Sequence, residues 1–464
     1  MNYRLFGNGL LLVFLLWLPA PDARSQPGPL TLGEAVRQAS EKYPAVRVSL
    51  ERVSAAAAGI NLARTAFLPR ADFLAELNRA THNNIFGLLI PQPMSVIPSM
   101  SGPVLLTNNL NNVWGTAVGV LVNWEPFDFG LRKANVGVAE SARNQAKAEV
   151  EVTRFQVEAA AADAFLTLLA GEQTVVPARA AVERARVLDQ VVEALARNDL
   201  RPGADASRSR AELALARTQL VQAEEAAEVA RAALAQLLGL TPAAVRVTPG
   251  PLLGIPPAAL PGTVPVAQHP MAVAQARAVE QVRARERVLE RSYYPKFNLQ
   301  GTVYARGSGA QPDGTTGGAA SGLGPNIQNW AAGMSVSFPV FDLPAIRAKR
   351  EIEASNERAE SARYAQLLQD LNGQLEKAQA TLAGARRVIE NTPIQLEAAR
   401  ATEQQATARY KAGLANIVEV AEAQRLLTQA EIDDALARLG VWRALFGVAA
   451  AQGDLTPMLQ LASQ

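Results

Sequence analysis

Four segments of the chain alternate apolar and polar residues with a period of two. In the first, Ala71, Phe73, Ala75 and Leu77 alternate with Asp72, Leu74, Glu76 and Asn78; in the second, Val118, Val120, Val122 and Trp124 alternate with Ala117, Gly119, Leu121 and Asn123. The third sets Phe297, Leu299, Gly301 and Val303 against Lys296, Asn298, Gln300 and Thr302, and the fourth sets Met334, Val336 and Phe338 against Gly333, Ser335 and Ser337. Successive side chains of a strand point to opposite faces, so this pattern predicts strands over residues 69–82, 113–126, 295–306 and 330–340, each with one apolar face. Each run is about as long as the 9 to 11 residues of a tilted membrane-crossing strand. The same alternation also fits a half-buried hairpin in a soluble domain. Trp124 and Phe338 stand at matching strand ends, where an interfacial aromatic girdle would place them. Between the paired strands lie long, turn-rich stretches, residues 79 to 112 with Pro91-Gln92-Pro93-Met94 and residues 307 to 329 with Gly307-Ser308-Gly309 and Gly317-Gly318.

The rest of the chain has helical character. From Leu131 to Asn198 the only proline is Pro177, and from Ala345 to Ala412 the only one is Pro393; proline is tolerated in a first helical turn, which predicts a break in each arm there. A helix of this length spans roughly 100 Å and must pack lengthwise against partners. Alanines such as Ala159, Ala160, Ala162, Ala226, Ala227 and Ala230 would allow close approach. Each arm turns once, at a tip over residues 198–206 in the first half and 410–419 in the second. There Gly413 can take the left-handed conformation that ends a helix, and Asp205 or Asn416 can cap the next one.

The two halves are copies of one plan. Tyr43-Pro44 and Phe67-Leu68-Pro69 recur 226 positions later as His269-Pro270 and Tyr293-Tyr294-Pro295, and Phe127-Asp128 recurs 214 positions later as Phe341-Asp342. The second shift then holds without gaps to Gly239 and Gly453, so only the loop between paired strands changes length. This divides the chain into a first repeat over residues 26–240, a Pro-rich linker over 241–265, a second repeat over 266–456 and a tail over 457–464.

Composition narrows the function. Forty-five Lys and Arg against 43 Asp and Glu leave a net charge of +2, too balanced for phosphate-backbone binding, so nucleic acid is not an expected partner. The absence of cysteine removes disulfides, thiolate metal sites, Cys nucleophiles and an N-terminal lipidated Cys. The two histidines, His82 and His269, read as a loop residue and a pre-proline turn residue, and no metal site or cofactor is expected. No Walker loop and no G-x-S-x-G is present, so no catalytic residues are expected and the chain does not read as an enzyme. Leu10 to Leu18, preceded by Arg4 and followed by Pro19 and Ala23-Arg24-Ser25, reads as a signal peptide over residues 1–25, which predicts export.

The ordered set of the signal peptide, the two repeats, the YP/HP and FLP/YYP pairs, the FDFG/FDLP strand-to-helix junctions and the Tyr410-Lys411-Ala412-Gly413-Leu414 turn resembles the TolC-like outer-membrane efflux proteins. The resemblance covers essentially all of the mature chain. It implies a mixed α and β membrane protein, a homotrimer in which each chain gives four strands to a twelve-stranded outer-membrane β-barrel. The barrel would continue into a long periplasmic α-helical barrel. It implies a passive exit duct in a tripartite efflux pump, with a periplasmic adaptor, an inner-membrane pump and outer-membrane lipid as partners. Closure by three chains also removes the open sheet edges that lipid forbids.

The resemblance places acidic aperture residues at Glu419 and Glu422, with Asp205 as an acidic partner from the first repeat. Six such glutamates around a threefold axis would favour cations and make closure sensitive to pH and divalent ions. Leu200, Gly413 and Leu414 are the candidate contacts for adaptor hairpin tips. Two positions depart from the family pattern: Ala415 stands where some members carry an arginine that helps lock the closed state, and Asp199 where glycine is usual. Two other readings stay open at this level, an outer-membrane channel for type I protein secretion and a soluble periplasmic coiled-coil scaffold or adaptor. The transported substrate is not encoded in any motif.

Overall fold

The computed structural model describes residues 28–81, 112–198, 202–256, 264–311, 315–338 and 340–463. The expected signal peptide, His82, Asp199, Leu200 and nearly all of the stretch from 79 to 112 lie outside the described residues. In chain order the elements are α1 (Leu32–Lys42), α2 (Pro44–Thr65), β1 (Arg70–Thr81), β2 (Asn112–Phe127), α3 (Leu131–Arg197), α4 (Gly203–Leu238), α5 (Pro270–Arg291), β3 (Lys296–Ser308), β4 (Ile327–Ser337), α6 (Leu343–Lys411), α7 (Ile417–Gln452) and α8 (Thr456–Leu461).

The long arms are unbroken, contrary to the expectation from their prolines. Pro177 lies inside the 67-residue α3 and Pro393 inside the 69-residue α6. An interior proline costs about 3 kcal/mol, but it removes only one N–H from a ladder of dozens, and lengthwise packing outweighs it. Pro177 is itself buried against neighbouring helices, and beside Pro393 the Thr392 hydroxyl donates to the buried Asp434 carboxylate of α7 at 3.3 Å.

The four strands form one antiparallel sheet in the order β1-β2-β3-β4. Its register follows the alternation: Phe73 lies opposite Val120 and Val120 opposite Val303, so exposed apolar side chains share one face with Trp330, Met334 and Val336. The opposite face carries Asp72, Glu76, Asn78, Asn123, Gln300 and Arg306. Among the described residues the outermost strands, β1 and β4, each keep one edge without a partner strand. β4 ends at Ser337, short of the expected residue 340, whereas β2 continues to Phe127. The end of β2 still pairs with β3, Trp124 opposite Leu299 and Phe127 opposite Phe297, whereas the pairing of β3 with β4 stops at Lys296 opposite Ser337.

Helix packing repeats this open-edged order. α3 packs against α2, α4, α5 and α7, and α6 against α5 and α7, which leaves α4 and α2 at one side and α6 at the other. Consistent with an edge position, α6 buries few residues along its length, while exposing Ile352, Val388 and Ile394. The main core lies where the hairpin bases meet: Phe165, Leu166, Leu168 and Leu169 of α3, Leu234 and Leu238 of α4, and Trp442 and Leu445 of α7 are buried together. The Pro-rich segment between the halves is part of this core, since Val245 and Leu252 are buried in it and Trp442 donates its indole N–H to the Gly254 carbonyl at 3.1 Å. Among the described residues no helix is long and apolar enough to cross a membrane.

Candidate functional site: hairpin tips and collar

The tip of the second hairpin is built by local rules. α6 closes with Gly413 at φ +76°, where the Leu414 N–H donates to the Arg409 carbonyl at 2.8 Å and the Gly413 N–H to the Tyr410 carbonyl at 3.1 Å. A left-handed residue is required there, and glycine supplies it without a Cβ penalty. α7 then starts with a capping box: the Glu419 N–H donates to the Asn416 side chain at 3.0 Å, and the Asn416 N–H donates back to the Glu419 carboxylate at 3.5 Å. Glu419 is thus held in place by the helix start that it helps to form.

The two tips meet through an apolar knot. Leu188, Val192 and Ala206 from the first half pack with Ala406, Tyr410, Ala415, Ile417, Val420 and Ala423 from the second. The Tyr410 hydroxyl, at the edge of this knot, donates to the Asp205 carboxylate at 3.4 Å, so Asp205 is joined to the tip carrying Glu419. Ala415 is one of the buried members, where its methyl fills the knot. Gly413 and Leu414 are exposed, Leu414 by 70%.

The carboxylates are not alone. Arg409 lies 3.9 Å from Glu419, and Arg425 lies 2.6 Å from Glu422. Both pairs are well exposed, and pairs of this kind contribute about 0–1 kcal/mol to stability, but with one arginine to each carboxylate they offset the formal charge that bare glutamates would present. The Glu422 and Arg425 spacing of three residues was readable as a helix-face pair; Arg409 reaches Glu419 only across the turn. Deeper in the arms, Arg184 of α3 joins Glu431 of α7 at 2.9 Å and Thr428 at 2.9 Å, which ties the two halves together above the tips. Among the described residues no group of three or more His, Cys, Asp or Glu is placed to hold a metal ion.

At the opposite end of the arms a collar joins the sheet to the helices. Phe129 at φ +52° and Gly130 at φ +90° turn the chain from β2 into α3. Asp128 and Arg132 form a buried pair there, 7% and 8% exposed, with Nε 2.9 Å from the carboxylate. The carboxylate also accepts from the N–H groups of Arg132 at 2.7 Å and Gly130 at 3.1 Å, and Arg132 donates to the Ala66 carbonyl at 3.2 Å. Burial raises the Asp128 pKa, but these backbone and guanidinium hydrogen bonds outweigh it and hold the group below the ordinary aspartate value. The Phe127, Phe129, Tyr294 and Phe297 rings pack beside it, with Phe129 stacked on Tyr294 at 5.2 Å.

A sheet that is apolar on one face, continuous with hairpin arms roughly 100 Å long, defines a class of protein in which long helical hairpins extend from a small antiparallel sheet. Over residues 35–240 and 266–454 the chain matches the family described as outer membrane efflux protein, and it belongs to that family. Among characterised relatives, protein CyaE of Bordetella pertussis is 28% identical over 235 residues, which cover 50% of this chain and 45% of that protein. The match thus spans about half the length of that relative. The fold is that of the outer-membrane channel OprN (21% identity, TM-score 0.70, covering 91% of this chain and 89% of that one). It is also that of the Campylobacter jejuni CmeC outer membrane channel (16% identity, TM-score 0.72, covering 91% and 85%).

Proposed function

We propose that this chain is the passive outer-membrane exit duct of a tripartite efflux pump, working as a homotrimer with a periplasmic adaptor and an inner-membrane transporter. The observation that carries the reading is the four-stranded sheet with an apolar outer face and two free edges, set on helix layers whose order ends in the same two free sides. Open edges are untenable in lipid, and four strands are too few to close on themselves, so copies of the chain supply the missing neighbours. Three copies make a twelve-stranded barrel, with the hairpins continuing it as a helical tube through the periplasm. In this reading the two halves are duplicated repeats, and the first 25 residues direct export.

The polar sheet face lines the lumen, and the tips close the periplasmic end. Glu419 and Glu422 from each copy, with Asp205 behind them, set the charge of that aperture, and Arg409 and Arg425 moderate it. Gly413 and Leu414 form a small, exposed rim that an adaptor hairpin meets, and Leu200, outside the described residues, is proposed as a further contact on sequence alone. No reaction step is needed, because a duct moves solute down the gradient that the pump creates. The test is single-channel recording in planar bilayers, comparing wild type with Glu419→Gln/Glu422→Gln. Cation preference that falls in the variant supports the aperture assignment; absence of conductance together with extraction by carbonate overturns the duct.

A further inference from the structure

The sheet contains a template for its own closure. Within the chain, Ala71 faces Val122 across β1 and β2, and Phe297 faces Val336 across β3 and β4; Leu77 faces Thr116, and Val303 faces Trp330. The second member of each comparison is the first shifted by 226 positions on the leading strand and by 214 on the following strand, the two shifts that relate the halves in sequence. The two hairpins therefore share one register. The seam between them, β2 against β3, sets Trp124 opposite Leu299, Val122 opposite Gly301 and Val120 opposite Val303.

We infer that β4 of one copy pairs with β1 of the next in the register of this internal seam: Phe338 opposite Phe73 of the second copy, Val336 opposite its Ala75 and Met334 opposite its Leu77. The inference rests on the oligomeric barrel proposed above and goes beyond it by fixing which residues meet. Two features of the single chain support it. First, the parity is right: Val336 and Met334 lie on the exposed apolar face, as do Phe73 and Leu77, so the pairing keeps apolar residues outward and sets Ser337 opposite Leu74 and Ser335 opposite Glu76 on the inner face. A slip by one residue would put inner against outer faces all along the seam.

Second, the collar has an unfilled counterpart. In the internal seam the Phe127 ring lies 6.1 Å from the Phe297 ring, whereas its repeat equivalent Phe341 is 96% exposed. The same shifts lay Phe341 over Ala71 of the next copy and Leu343 over its exposed Leu68. Ala71 stands where the internal seam has Phe297, so a single ring replaces a pair and room is left for it. A fully exposed phenylalanine at a strand-to-helix junction is thereby given a seat.

The natural chain has no cysteine, so paired cysteines report the seam without background. Ser337→Cys with Leu74→Cys, oxidised in native membranes, is expected to give dimer and trimer bands on a non-reducing gel; the slipped pairs Ser337→Cys with Asp72→Cys and Ser337→Cys with Glu76→Cys are expected to stay monomeric. Val336→Cys with Ala75→Cys reads the same register from the outer face, should the first pair fail to assemble. A slipped pair that links in place of the predicted one overturns the register while the oligomer stands. Monomeric wild-type protein by sedimentation in detergent, with no pair linking, overturns the oligomer and the register together.

Discussion

The buried Asp128 and Arg132 pair gives a perturbation whose magnitude separates two accounts of the collar. Asp128→Ala leaves a guanidinium 8% exposed, with the Ala66 carbonyl at 3.2 Å and the Phe67 ring face at 5.0 Å as its remaining partners. Breaking one side of a buried pair costs about 3–5 kcal/mol, because the surviving charge is stranded in low dielectric. Removing both, in Asp128→Leu/Arg132→Met, eliminates the stranded charge and leaves the loss of the carboxylate contacts to the Gly130 and Arg132 N–H groups, which is worth about 1–2 kcal/mol on the scale of lost helix caps. The double variant should therefore be more stable than the single one by roughly 1–4 kcal/mol. Urea unfolding in detergent micelles, followed by tryptophan emission, measures the difference. A single variant within about 1 kcal/mol of wild type, or a double variant as unstable as the single, refutes the reasoning that the pair is held by burial.

Three further outcomes follow from the tips and the hairpin base. Arg409→Gln/Arg425→Gln should raise cation over anion permeability by about fivefold, the size of a roughly 1 kcal/mol electrostatic term, whereas Glu419→Gln/Glu422→Gln should lower it similarly; reversal potentials in a salt gradient decide. Gly413→Ala forces a Cβ into φ +76° and should cost about 1–2 kcal/mol, read as a lower thermal midpoint of the hairpin, with an unchanged midpoint as the contrary result. His269 is buried at the start of α5, where its Nδ1 accepts from the Met271 N–H at 3.2 Å and its ring meets Phe155 edge-on; burial lowers its pKa below the usual histidine value. Its folded pKa is depressed, so the unfolded chain binds more protons as pH falls below about 6.5, and stability present above that pH is lost below it. His269→Asn keeps a capping acceptor without the titration, so the fall in thermal midpoint between pH 7 and 5 should be shallower than in wild type; an identical slope assigns the fall to other groups.

What the sequence made legible, and what it did not, divides along physical lines. The strand faces were readable because successive side chains of a strand point to opposite faces, which shows as a period of two over Phe73 to Leu77 and Leu299 to Val303, with Leu74 as an apolar exception on the polar face. Gly413 and Asn416 were readable because helix ends depend on neighbours in sequence. Pro177 and Pro393 were misread as breaks because local propensity is a term of about 3 kcal/mol, and it loses to packing spread over arms of 67 and 69 residues. Arg409 beside Glu419 was missed because the contact crosses a turn, where neither the helical nor the strand period applies. Phe341 shows where periodicity stops informing: it marks the side chain as apolar but gives no sign of which chain covers it. In the reading proposed above that knowledge comes from the repeated plan of the two halves, since the seam seen once inside the chain is the template for a seam with a second copy.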